Sequence, residues 1–166
     1  MMDTHVSRSL HDEHMTTQAL LARLETLLGR HGPAAPPDAS DFPVATLLRA
    51  LARAVTAELQ PHFAFEETHL FPLLEESGAT EMAALLTEEH ASLLPRAHAL
   101  AACARQGESQ GFDPATWAAF HAAGGALTGA LAAHIEKEEM GLLPALDALL
   151  DPETDGRLAL ALAESR

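Results

Sequence analysis

The segment HFAFEETHLFP, residues 62–72, and the segment HIEKEEMGLLP, residues 134–144, share one pattern: histidine, three residues, two glutamates, four residues, proline. Each segment follows a Glu-His pair at nearly the same distance, Glu13-His14 in the first half and Glu89-His90 in the second. On a helix, residues four apart lie on one face, so His62 with Glu66, and His134 with Glu138, each aim an imidazole nitrogen and a carboxylate at one point. Two such pairs, joined by His14 and His90, make a candidate site for two metal ions. Taken alone, each of these residues has a plainer reading, a hydrogen-bonded core histidine or a solvated helix glutamate. A solvated face has no reason to reproduce the same residues at the same offsets twice, so the repeat favours the metal reading.

Outward from the repeat, the chain supports a helical frame. Its 166 residues fit one domain with a sizeable core. Hydrophobic residues make up 48% but aromatics only 4%, and tyrosine is absent, a balance that favours helices over strands. A formal charge of −14, with only 10 lysines and arginines, argues against a nucleic-acid partner, because phosphate backbones are held by clustered cations. Cys103 is the single cysteine, which rules out an intrachain disulfide and points to a reducing, cytoplasmic setting. No long apolar run follows a basic start at the N-terminus, and none approaches the roughly 18 residues of a membrane span. No membrane partner is expected.

Apolar positions Leu10, Leu20, Leu21, Leu24, Leu27 and Leu28 recur at helical spacing, predicting a first helix from about His5 to Arg30 with Ser7 or Ser9 as its cap. A Gly- and Pro-rich loop, His31 to Asp41, precedes a second helix from about Pro43 to Glu76, ended by Ser77-Gly78. Pro61 lies inside that helix and is expected to kink it just before His62. The third helix is expected from about Thr80 to Gln106, with Pro95 as an irregularity and a break over Gly107 to Gly111. Asp113 and Pro114 start a fourth, which runs to about Leu150; a short helix from Pro152 to Glu164 completes the chain.

Four long helices with short connections pack as an antiparallel bundle. The fold class is therefore all-α, an up-down-up-down four-helix bundle with a short C-terminal helix. Residues 1–150 form the bundle, and residues 151–166 are a tail of the same domain. His14 and His62 fall near one level of their helices, and His90 and His134 repeat the arrangement, so one shared site in the bundle core is expected.

These motifs resemble the hemerythrin-like, or HHE cation-binding, family over about residues 8 to 148. The resemblance implies the same bundle around a non-haem di-iron centre, with His14, His62, His90 and His134 as terminal ligands and Glu66 and Glu138 as bridging carboxylates. An oxo or hydroxo group joining the two ions belongs to the same expectation. Donor chemistry agrees with iron and also accommodates Mn or Zn. Ferritin-like bundles carry Glu-x2-His instead, so the order and spacing favour the hemerythrin-like reading. Oxygen-carrying hemerythrins place a further histidine four residues after the first on the third helix; here that position is Leu94. Four histidines leave room for an open position on each ion, which makes reaction with peroxide, nitric oxide or oxygen more plausible than reversible oxygen carriage.

Other residues near the pattern have weaker claims. His11 precedes His14 by three positions and is a candidate additional ligand, with a place in the second layer of contacts as the alternative. His69 lies two turns beyond His62, opposite Gly141 in the repeat; packing of a large residue against a small one is the plainer reading. Glu67 and Glu139 point about 100° away from the bridging glutamates and are read as solvated or as hydrogen-bond partners of neighbouring histidines. His5, His31, His98 and His121 are read as surface residues, and Phe63 or Phe65 as a wall of the site. Gly124, Gly125 and Gly129 are read as allowing a close helix approach or a local bulge.

The function expected is binding or sensing of a small diatomic ligand or peroxide at the two irons, or iron handling under oxidative or nitrosative stress. The alternative is a metal-dependent peroxidase-like or iron-centre repair enzyme. Lack of tyrosine excludes tyrosyl radical chemistry, and no Ser-His-Asp arrangement, phosphate loop or dinucleotide fingerprint occurs. A third reading is a metal-stabilised interaction module, in which the apolar alternation from Arg157 to Arg166 forms a dimer contact and the chain a homo-oligomer.

Overall fold

The computed structural model describes residues 4–165; Met1, Met2, Asp3 and Arg166, which the expected domain limits and tail contact include, lie outside it. Five helices account for nearly all of these residues, and no strand occurs among them. Helix α1 covers His5–Arg30, α2 residues 42–76, α3 Thr80–Gln110, α4 residues 114–149 and α5 Pro152–Glu164. Helix α1 packs on α2, α4 and α5, while α3 packs on α2 and α4, which makes the molecule a helical bundle.

The start of α1 is fixed from a distance. Its cap is Thr4, whose hydroxyl accepts the Ser7 N–H at 3.3 Å, rather than Ser7 or Ser9, which lie inside the helix. The Asp155 carboxylate on α5 accepts the next two free amides, from His5 at 2.8 Å and Val6 at 2.9 Å. A buried carboxylate at a helix N-terminus satisfies donors that the helix cannot and also complements its dipole. Asp155→Ala is expected to destabilise the protein by about 2 kcal/mol, the upper range for a lost helix cap. A denaturant midpoint equal to that of the unmutated protein would contradict this.

Three prolines inside the helices, Pro61, Pro72 and Pro144, have a shared solution. Pro61, Pro72 and Pro144 each follow a π-helical turn, at Val55–Leu59, Glu66–Leu70 and Glu138–Leu142 respectively. Proline lacks an N–H, and its ring crowds the carbonyl four residues back; a widened turn moves that carbonyl away. The helix therefore continues through Pro61 rather than ending. Helix α3 passes Pro95 and Gly107 without interruption and stops only at Gly111, at φ 75°, so the expected break at Gly107 is displaced by one turn. The Phe112 ring folds back onto helical Gly107, where an added Cβ would collide with the ring. Asp113 caps α4 as expected, with Thr116 completing a reciprocal capping box. Of the α4 glycines, Gly124 allows the close approach, facing Leu24 and Leu28 of α1, whereas Gly125 and Gly129 face open space and no bulge forms there.

Two apolar clusters fill the interior. One surrounds Trp117, Phe120, Leu24 and Leu48; the other surrounds Leu10, Leu70, Leu86 and Leu146. Each of the four long helices passes through both, and each places its repeat histidine between them. In α1 the order is Leu10, His14, Leu21; in α2 it is Val55, His62, Leu70; α3 and α4 repeat this with His90 and His134. The apolar face of α5 contributes Leu158 and Leu162 to the second cluster, leaving Leu160 as its exposed leucine.

Candidate metal centre

Six side chains meet between the apolar clusters. His14, His62, His90 and His134 are 1–7% exposed, and Glu66 and Glu138 are fully buried at 0%. His14 comes from α1, His62 and Glu66 from α2, His90 from α3, and His134 and Glu138 from α4. Both glutamates stand at the first residue of a π-turn, where each backbone carbonyl accepts the amide five residues on, from Phe71 and Leu143. The widened turns recur at the same place in both repeats, each with a proline six residues beyond its glutamate.

The imidazoles gather in two pairs. Nε2 of His14 lies 3.3 Å from Nε2 of His62, and Nε2 of His90 lies 3.1 Å from Nε2 of His134. Both carboxylates span the pairs. Glu66 sets Oε1 at 3.3 Å from His62 and Oε2 at 3.4 Å from His90. Glu138 sets Oε2 at 3.1 Å from His14 and Oε1 at 3.0 Å from His134. Donor atoms of His14, His62, Glu66 and Glu138 lie within 4.8 Å of one another, as do those of His90, His134 and Glu138.

Behind each imidazole stands a carboxylate on Nδ1. Glu13 of α1 holds His62 at 2.6 Å, Glu67 of α2 holds His90 at 2.9 Å, Glu89 of α3 holds His134 at 2.8 Å, and Glu139 of α4 holds His14 at 2.6 Å. Each helix thus lends a carboxylate to the next, and the last returns to the first. A carboxylate can only accept, so Nδ1–H donates and Nε2 is left with its lone pair facing inward. Glu67 and Glu139 therefore take the hydrogen-bonding role expected of them. Glu13 and Glu89 were not singled out as functional in the sequence, although their repetition one residue before His14 and His90 was visible there.

The donor set fits a cation. None of the four oxygens of Glu66 and Glu138 has a well-aligned hydrogen bond, although all are buried. Orphaned charged oxygens surrounded by imidazole lone pairs are costly unless positive charge joins them. Proton affinities show the same demand. Burial alone would lower His14, His62 and His90, but the carboxylates of Glu138 and Glu66 outweigh it: His14 is raised, His62 well raised, and His90 held at about 9. Burial would likewise raise Glu138, yet the imidazoles of His134, His14 and His90 that face it hold it well below the usual carboxylate range. Metal ions would bind the same inward lone pairs that protons otherwise occupy.

Aromatic rings close part of the site. Phe63 stacks on His90 at 3.7 Å between centroids and meets His134 edge-on at 5.4 Å, while Phe71 lies 5.3 Å from His90. Phe65 meets His69 instead, and His69 is exposed and outside the converging donor groups. His11 is half-buried and holds Glu139 at 2.9 Å, so it adjoins the carboxylate behind His14. Leu94 packs against the first apolar cluster. His5 is exposed as expected, but His31, His98 and His121 are half-buried; His121 bonds the Leu28 carbonyl at 3.1 Å and His31 meets Trp117 edge-on. A groove of about 320 Å³ between α1, α2 and α5 reaches His62, lined by Glu13, Thr16, Pro61 and Leu162 among others.

If the carboxylates behind the imidazoles orient them, Glu13→Gln and Glu139→Gln are expected to weaken metal binding by about 10–100-fold while leaving the fold intact. Equal affinity in both variants, measured by competition with a coloured chelator, would contradict that role.

A bundle of helices with a buried cluster of histidines and carboxylates defines a cation-binding class of protein. The family model of the hemerythrin HHE cation binding domain matches residues 5–146, and the chain belongs to this family. No individual curated protein matches it. Among the described residues, no helix is long and apolar enough to cross a membrane.

Proposed function

We propose that this chain is a non-haem di-iron protein that binds or senses oxygen, nitric oxide or peroxide, or handles iron under oxidative or nitrosative stress. The observation that carries the reading is the placement of Glu66 and Glu138, each fully buried, each turning one oxygen to the His14/His62 pair and the other to the His90/His134 pair. An ion held by each histidine pair would bring the buried oxygens of Glu66 and Glu138 the positive charge they lack. His14, His62, Glu66, His90, His134 and Glu138 are the proposed ligands.

The bundle is proposed to run up-down-up-down as one domain over residues 1–150, with the tail packed onto it. The order of apolar clusters along each helix supports this, since it reverses from α1 to α2, again to α3 and again to α4. A cytoplasmic location is proposed from the single cysteine, Cys103.

Iron supplies changes of oxidation state and open coordination positions to which a small ligand binds. The chain's own groups hold the imidazoles in one tautomer, keep the Nδ1 protons away from the metals and cover His90 with apolar rings. The groove at His62 gives small solutes a path toward the cluster. Optical spectra of the reduced, iron-loaded protein test the reading. A new charge-transfer band on addition of oxygen, nitric oxide or peroxide is expected; spectra indifferent to all three would refute it. Catalytic consumption of peroxide, lost in His62→Ala, would favour the peroxidase-like alternative.

A further inference from the structure

The metal centre has an apolar neighbour. A pocket of about 40 Å³ lies in the first apolar cluster, walled by all four long helices, and only Thr17 and Glu58 bring polar side chains to it. It is open because small side chains stand where larger ones would fill the space: Ala54 on α2, and Ala97 and Ala101 four residues apart on one face of α3. A void forfeits dispersion contacts along its walls, so keeping one costs stability.

Three helices tie this pocket to the ligand histidines. Thr17 follows His14 by three residues, Leu59 precedes His62 by three and Leu131 precedes His134 by three, about 4.5 Å along each helix axis. The pocket also has a mouth. Thr17, Glu58 and Leu59 line both the pocket and the groove of about 320 Å³ between α1, α2 and α5, so the two adjoin there. Glu58 and Leu59 belong to the widened turn Val55–Leu59, whose counterpart in the second repeat, residues 127–131, is regular α-helix.

We propose that this pocket takes up an uncharged diatomic gas, oxygen or nitric oxide, from the groove and delivers it to the metal centre, and that peroxide does not use it. This rests on the small-ligand reading above and narrows it. A volume of about 40 Å³ exceeds the roughly 10–15 Å³ that one water needs, but water inside would meet only hydrocarbon, and apolar cavities of that kind stay dry. A diatomic gas gives up almost no hydrogen bonding on entering. Hydrogen peroxide, which donates and accepts hydrogen bonds, would lose its water partners without replacement.

Xenon, which occupies dry apolar cavities, is the probe. Under xenon pressure, methyl signals of Val55, Leu100 and Leu131 are expected to shift in the nuclear magnetic resonance spectrum of the full chain loaded with diamagnetic Zn²⁺. The shifts vanish in Ala101→Leu, which fills the space. In the reduced, iron-loaded protein, stopped-flow mixing reads the consequence. Ala101→Leu, and Thr17→Trp at the mouth, slow nitric oxide association several-fold and leave the rate of oxidation by peroxide unchanged. Thr17 is half-buried, so Thr17→Trp carries the test where Ala101→Leu overpacks the core. Absence of xenon shifts in the unmutated chain would overturn the proposal, as would nitric oxide association unaltered in both variants. Equal slowing with nitric oxide and with peroxide would overturn it too, since that marks a disturbed centre rather than a closed route. Iron indifferent to nitric oxide, oxygen and peroxide alike would refute the small-ligand reading and gas delivery with it, and the xenon shifts tell that failure from failure of the pocket.

Discussion

Glu138→Ala is expected to leave the protein with at most one metal ion per chain. Glu138 alone belongs to both groups of converging donors, with Oε2 at 3.1 Å from His14 and Oε1 at 3.0 Å from His134. Truncation leaves the His90/His134 position with two imidazoles and a single Glu66 oxygen, at 3.4 Å from His90, too few donors to hold an ion firmly. Glu66→Ala is expected to act in the same direction at the His62 and His90 nitrogens that it faces. Both changes place alanine in a helix, which the backbone tolerates, so far-ultraviolet circular dichroism should show the helices retained. Glu138→Gln, which keeps the volume and removes the charge, separates loss of packing from loss of a ligand. Full two-metal occupancy in Glu66→Ala and Glu138→Ala alike would remove both residues from the site.

Chelation is expected to lower the melting temperature by roughly 10 °C or more. The physical reason is linkage: a ligand held at 1,000 times its dissociation constant adds about 4.1 kcal/mol to folding. For a chain of this size each kcal/mol corresponds to roughly 2–4 °C. Stripping the ions also returns the fully buried Glu66 and Glu138 to a state without well-aligned partners. Scanning calorimetry on loaded and chelated protein reads the difference directly. Superimposable transitions would mean that the buried cluster is satisfied by its own protons and that no cation stabilises the fold.

Much of this architecture is legible in the sequence because the repeat fixes both chemistry and geometry. His-x3-Glu on a helix puts two donors on one face, and two copies on separate helices converge only if the helices pack together. The helix limits followed from Gly78, Gly111, Asp113 and Pro114, residues whose backbone preferences are local. What stayed hidden depended on contacts between distant segments. Thr4 starts α1 because Asp155 on α5 holds the next two amides, a bond across the whole length of the chain. Phe112 folds back over Gly107 in a contact that leaves no room for a Cβ. Nor does a residue string reveal that prolines are absorbed by π-turns, since the widened turn is a backbone response. The carboxylates behind the histidines lay between these extremes: Glu13 and Glu89 repeat in register, but their targets sit on the following helix, which periodicity along one helix does not indicate.

The duplication also carries its own exceptions, and these mark where the two halves have diverged. Phe63 covers His90 with an aromatic ring where the second repeat has Ile135, and Lys137 joins Glu89 where the first repeat has Phe65. The half-site on His90 and His134 therefore carries the aromatic cover.

The most direct test of the two-metal centre is iron per chain, measured on protein loaded anaerobically with ferrous iron and freed of excess by desalting. Close to two irons per chain, falling to one or none in Glu138→Ala, is the predicted result. A folded chain that retains no iron under these conditions, or retains the same amount without Glu138, would contradict the account.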